Sequence, residues 1–114
     1  MVDITTLQDD IVADLTSELS GEDTFNLDAL RIKVKMAIKE IISKRCYENS
    51  SYDDEMILAD LENSFYSTIL NLARYDYNQI GAEGQSGHSE NSVNRQWADR
   101  NSLLLNVHSF VKVL

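Results

Sequence analysis

The chain has 114 residues, 43% of them hydrophobic, and a formal net charge of −9. That length makes one domain, residues 1–114, with a small core, and the acidic balance argues against tight non-specific DNA binding, which needs cations to displace phosphate counterions. A single cysteine, Cys46, excludes an internal disulfide and a cysteine-based zinc cage, and no run approaches the ~18 apolar residues of a membrane span.

The N-terminus, MVDITTLQDD, has neither a basic start nor an apolar run, so no signal peptide is expected and the chain reads as soluble and made in the cytoplasm. Ile4, Leu7, Ile11, Val12, Leu15 and Leu19 recur at spacings of three and four, which predicts a helix over 4–19. Asp3 or Thr5 is placed to cap it, and Gly21 is suited to a left-handed cap at its end. Thr24 or Asn26 opens a second helix with the stripe Leu27, Leu30, Val34, Ala37, Ile38 and Ile41. Within it, Arg31 to Met36 alternates as a strand would, but about 20 residues without Gly or Pro favour helix. Ile32, Met36 and Ile42 widen its apolar face, which suits a central helix or one with a subunit interface on its second side.

A polar turn at Glu48–Ser51 precedes a long third helix, from Asp53 or Asp54 to about Tyr77. Its stripe is Ile57, Leu61, Phe65, Ile69 and Leu72, with Tyr75, Asp76 and Tyr77 at its end. The tyrosines there suit a core edge, and secondarily an interface. Leu103, Leu104, Val107, Phe110, Val111 and Leu114 then predict a fourth helix capped by Asn101 or Ser102. The fold class expected is therefore all-α. It is a small bundle of about four helices with one long loop or β-hairpin-like excursion between the third and fourth.

That excursion is the run Ile80 to Asn101, IGAEGQSGHSENSVNRQWADRN, which holds three of the four glycines and the only tryptophan. A polar stretch this long inside a compact domain is usually functional or disordered. The mixture in its second half suggests a folded element built to meet a partner. Trp97 is either a satellite core anchor or an interface hot spot. Arg95 and Arg100 flank it and are placed to pair with acids of a neighbouring subunit. Charge is also blocked along the chain. Residues 1–30 carry eight acids and no base, 31–45 six bases against Glu40 alone, and 48–62 six acids and no base. The plain reading is helices facing each other with opposite charge; the sharper one is a subunit with acidic and basic flanks for head-to-tail contacts.

No reaction chemistry emerges. His88 and His108 lack partners at metal-ligand spacing, and Cys46 is remote from both, so no metal is expected. His88, Ser89 and Glu90 sit where little packing would fix a catalytic set. The glycines match neither GxxxxGK[ST] nor GxGxxG and follow a helix, so no nucleotide cofactor is expected. The acids of the third helix form no ExxH pair for a di-iron centre. The chain reads as a non-enzyme without cofactors.

The run Gly81-Ala82-Glu83-Gly84-Gln85-Ser86-Gly87-His88-Ser89-Glu90-Asn91, continuing through Val93-Asn94-Arg95 and Trp97, resembles small tailed-phage DNA-packaging proteins of the head–tail connector, or head-completion, family. Ser102-Leu103-Leu104 at a helix start, and Thr24-Phe25-Asn26 before a helix ending in Arg45 and Tyr47, extend the resemblance over most of the chain. One departure is the absence of proline before the last helix. The resemblance implies a virion protein at the head–tail joint, assembled in the host bacterial cytoplasm. It implies a ring of about twelve copies beneath the portal that extends the DNA channel, helps retain packaged DNA and joins the tail. Its partners are then itself, the portal protein, the next tail-side connector or stopper, and passing double-stranded DNA without sequence-specific binding; no membrane is involved. The expected contact residues are Gln85, His88, Glu90, Asn91, Val93, Arg95, Trp97 and Arg100. Two other readings remain. One is a small protein-binding adaptor or regulatory module acting through the 79–101 loop. The other is a nucleic-acid binder using the basic run at 31–45.

Overall fold

The computed structural model describes residues 2–21, 23–83 and 100–111. Among these residues four α-helices have both ends described: α1 (Thr5–Leu19), α2 (Leu27–Arg45), α3 (Asp54–Ser64) and α4 (Tyr66–Glu83), with a 3-10 turn at Tyr47–Asn49. No strand occurs among the described residues, so the all-α class holds. α2 is the centre, packed against α1 on one side and α4 on the other, while α3 packs on α4.

The caps follow local chemistry. The Asp3 carboxylate accepts from the Thr5 amide at 2.9 Å. Asn26 caps α2 by accepting from the Ala29 amide at 3.1 Å, and Asp53 caps α3 by accepting from the Met56 amide at 2.8 Å. Each satisfies one of the donors orphaned at a helix start. Gly21 is not needed as a left-handed cap, because Ser20 closes α1 in right-handed geometry with its amide on the Thr16 carbonyl. The left-handed residue is instead Cys46, which ends α2 at φ 52°.

Leu7, Ile11 and Leu15 of α1 meet Leu30, Val34, Ile38 and Ile41 of α2 and Leu61, Ile69 and Leu72 from α3 and α4 in one buried cluster. Each fully buried Leu or Ile contributes roughly 1.5–3 kcal/mol of transfer free energy. The alternation at Arg31 to Met36 is helical, since Val34 is buried while Ile32 and Met36 point outward. Ile42 packs partly against the core.

Three expectations are corrected. The single third helix is two, bent at Phe65, where φ is −124° and ψ 6°. Asn63 and Ser64 are weak helix formers, and the bend turns Phe65 into the core at 5% exposure. The i to i−4 bonds still bridge the bend, from the Phe65 amide to Leu61 and from the Ile69 amide to Phe65. Next, α4 does not stop near Tyr77 but continues to Glu83, through Gly81. A lone glycine costs a helix only about 1 kcal/mol, and Gln79 and Ala82 favour continuation.

The third correction is the fourth helix expected from Ser102. Residues 100–102 are helical, but 103–106 form only turns, with i to i−3 bonds from the amides of Leu103, Leu104 and Leu105. Residues 107–111 are irregular. Their polar groups are used elsewhere: the Phe110 amide donates to the Arg45 carbonyl at 2.8 Å, and the Ser109 hydroxyl to the Lys44 carbonyl at 2.7 Å. Those carbonyls are orphaned at the end of α2, so the last segment caps α2 instead of coiling on itself. The expected excursion now follows α4, and its residues 84–99 lie outside the described residues.

Candidate functional site

The chain enters the polar run along α4 and returns at Arg100, where one guanidinium binds two helices. Its Nε and Nη2 donate to the two Asp76 oxygens of α4 at 2.8 and 3.0 Å. Its Nη1 and Nη2 donate to the two Glu40 oxygens of α2 at 3.0 and 2.7 Å. A planar fork suits this double two-point grip in a way an ammonium does not. The Arg100 and Asp76 side chains are each 18% exposed. Hydrogen bonds from Asp76, then Glu40, hold the Arg100 pKa above its ordinary value despite burial. Beside the clamp, the Tyr77 hydroxyl accepts from the Asn26 amide at 2.8 Å and its ring contacts Phe25. Tyr77 is thus an amphipathic filler at the core edge, joining the body of α4 to the start of α2.

A second node surrounds Arg45 at the opposite end of α2. Asp60 Oδ2 accepts from Arg45 Nη2 at 3.1 Å and from the Tyr47 hydroxyl at 2.6 Å. Arg45 Nη1 donates to the His108 carbonyl at 2.8 Å. The guanidinium lies 4.4 Å from the Phe110 ring centroid and 5.0 Å from that of Phe65. Burial opposes the Arg45 charge, but its bonds with Tyr47 and Asp60 outweigh that and raise its pKa. Burial and the bond to Asp60 push the Tyr47 phenol up. A third pair, Arg74 with Glu18 at 2.6 Å, ties α4 to α1 and is more exposed.

Of the eight residues expected at the contact site, only Arg100 is among those described. Gln85, His88, Glu90, Asn91, Val93, Arg95 and Trp97 lie outside them. Arg100 is engaged by acids of its own chain. The sequence pointed to neither the Arg45–Tyr47–Asp60 node nor the Glu40–Asp76 pair as a unit. One signal for the pair was present, since Glu40 is the single acid in the basic run 31–45. The basic run itself has divided roles. Arg45 pairs with Asp60 of the following acidic block, whereas Arg31, Lys35 and Lys39 are exposed. No group of three or more metal-ligating side chains occurs among the described residues. Among them no helix is long and apolar enough to cross a membrane.

No protein-family model matches the chain, and neither a curated protein nor a solved structure gives a significant match.

Proposed function

We propose that the chain is a structural virion subunit, a head–tail connector that forms a ring beneath the portal of a tailed phage. The ring extends the DNA channel, helps retain packaged DNA and gives the next tail-side protein its platform. The observation that carries the reading is the frame on which the motif run is mounted. α4 leads into the run as far as Glu83, and Arg100 fixes its return to both α4 and α2. A contact segment repeated around a ring needs such a rigid base to present the same geometry in every copy. The motif residues from Gly81 to Trp97 supply the resemblance, and a net charge of −9 suits a channel wall past which DNA slides without sticking. On this reading the chain has no reaction of its own.

The test is made on particles. Inactivating the gene in its source phage is expected to leave tailless capsids beside separate finished tails in electron micrographs of the lysate. Normal infectious particles would instead favour the adaptor acting through residues 79–101. A finer experiment deletes Gly84 to Asn94. The helical circular dichroism stays nearly intact, because α1 to α4 and the Arg100 clamp lie outside the deletion, while assembly on the portal is lost. Assembly that survives the deletion removes the run as the docking element.

A further inference from the structure

Two helix faces on this molecule are left without partners among the described residues, and they are chemically opposite. On α2, Arg31, Ile32, Lys35, Met36 and Lys39 are all exposed and fall on one arc of the helix. Ile32 and Met36 are 57% and 56% exposed, and among the described residues no acid is paired with either lysine. On α3, Glu55, Met56, Ala59 and Glu62 are exposed and share one arc. Met56 is 46% exposed, and among the described residues no base is paired with either glutamate. The first face is apolar and basic; the second is apolar and acidic, with a small residue at its centre. Over about 1.5 Å of rise per residue, Arg31 to Lys39 spans about 12 Å and Glu55 to Glu62 about 10 Å, so the two charge sets match in scale.

We infer that the α2 face of one copy docks on the α3 face of the next. The occupant is a second copy of this chain because the acidic surface that complements α2 is carried by the same molecule. The other acidic helix, α1, fits less well. Its exposed side chains Asp9, Asp10, Ala13 and Ser17 include no large apolar group. Two of its acids are already used, Asp14 by the Tyr66 hydroxyl and Glu18 by Arg74. Because the two faces differ, the contact is heterologous and propagates head to tail, closing into a ring or running on as a filament. The inference deepens the connector reading and rests on it for the ring; the pairing of the faces rests on charge and exposure. Each face has four or five side chains against the roughly 20–30 residues a side of a standard interface. A single contact is therefore weak and salt-sensitive, and ring closure strengthens it by repetition.

The experiment is sedimentation velocity of the full chain at low salt, from micromolar to millimolar concentration. The wild type is compared with two charge-reversed variants, K35E/K39E and E55K/E62K. All four positions are exposed, so the fold, read by circular dichroism, is retained. Self-association of the wild type is expected to weaken by about tenfold or more in each variant alone. Mixing the two variants in equal amounts restores it, because each reversed face then meets its complement on the other chain. A wild type that stays monomeric throughout overturns the pairing, as does association that neither reversal changes. Low-salt duplex DNA retarded by the monomer, and released by K35E/K39E, also overturns it and assigns the α2 face to nucleic acid. Tailless capsids from the gene knockout together with a monomeric chain would remove this pairing and keep the connector reading. Charge-dependent association together with normal particles would do the reverse.

Discussion

Cys46 holds a backbone conformation, φ 52° and ψ 54°, that side chains with a Cβ resist. The usual penalty is about 1–2 kcal/mol, and the Cys46 thiol offsets little of it with a long contact to the Ser43 carbonyl at 3.6 Å. Cys46→Gly removes the clash while adding chain entropy to the unfolded state, a cost of about 0.5–1 kcal/mol. A net gain of about 0.5–1 kcal/mol is expected in urea unfolding, and Cys46→Ala, which keeps the Cβ, gives none. Tyr66 makes a second test at this scale. Burial first, then its hydrogen bond to Asp14, push its phenol up from 10 to about 12. The folded state thus holds the proton more tightly than the unfolded chain. The stability contributed is full below pH 10 and is lost as pH rises through about 12. The advantage of wild type over Tyr66→Phe should close across that window, and an advantage constant up to pH 12 would contradict it.

The last segment is held as an element by α2 rather than by its own helix. Phe110 sits against Tyr47 and Tyr52 with centroids 5.8 and 5.1 Å away, and over the Arg45 guanidinium. Phe110→Ala removes two aromatic pairs and a cation–π contact, about 2 kcal/mol together. The stability loss is expected with unchanged helical circular dichroism and faster hydrogen exchange at residues 105–111. This segment also marks where sequence reasoning stops. The stripes of α1 and α2 were legible because each helix buries one face, and length decided the strand-like alternation at Arg31 to Met36. Leu103, Leu104, Val107 and Phe110 keep the same spacing, yet the Ser109 hydroxyl and the Phe110 amide bond the carbonyls of Lys44 and Arg45, more than 60 residues earlier. Periodicity within a window cannot register a long-range cap. The bend at Phe65 was hidden for a related reason, since the apolar stripe runs through it unbroken.

Over the described molecule, three arginines link helices that the apolar core already packs together. Arg100 ties α2 to α4, Arg45 ties α2 to α3, and Arg74 ties α4 to α1. Arg100→Ala leaves Glu40 and Asp76 facing each other without their cation, at a cost of about 3 kcal/mol in chemical unfolding. Arg100→Lys restores the charge but not the fork, and recovers only part of that loss. Arg100 was expected to pair with acids of a neighbouring subunit, whereas within the chain it pairs with Glu40 and Asp76. Its three-way geometry depends on the packing of α2 against α4, which composition and spacing do not encode.

α4 runs seven residues past Asp76 to Glu83, about two turns and 10 Å beyond the clamp. The clamp sets the position of the returning chain, while the helix end sets the direction of the departing one. These are separable variables. One residue inserted in α4 after the clamp advances the exit by about 1.5 Å and rotates it by about 100°, leaving Arg100 with its two carboxylates untouched. The overhang therefore works as a dial. Aim and anchorage can be changed independently by adding or removing single residues of one helix.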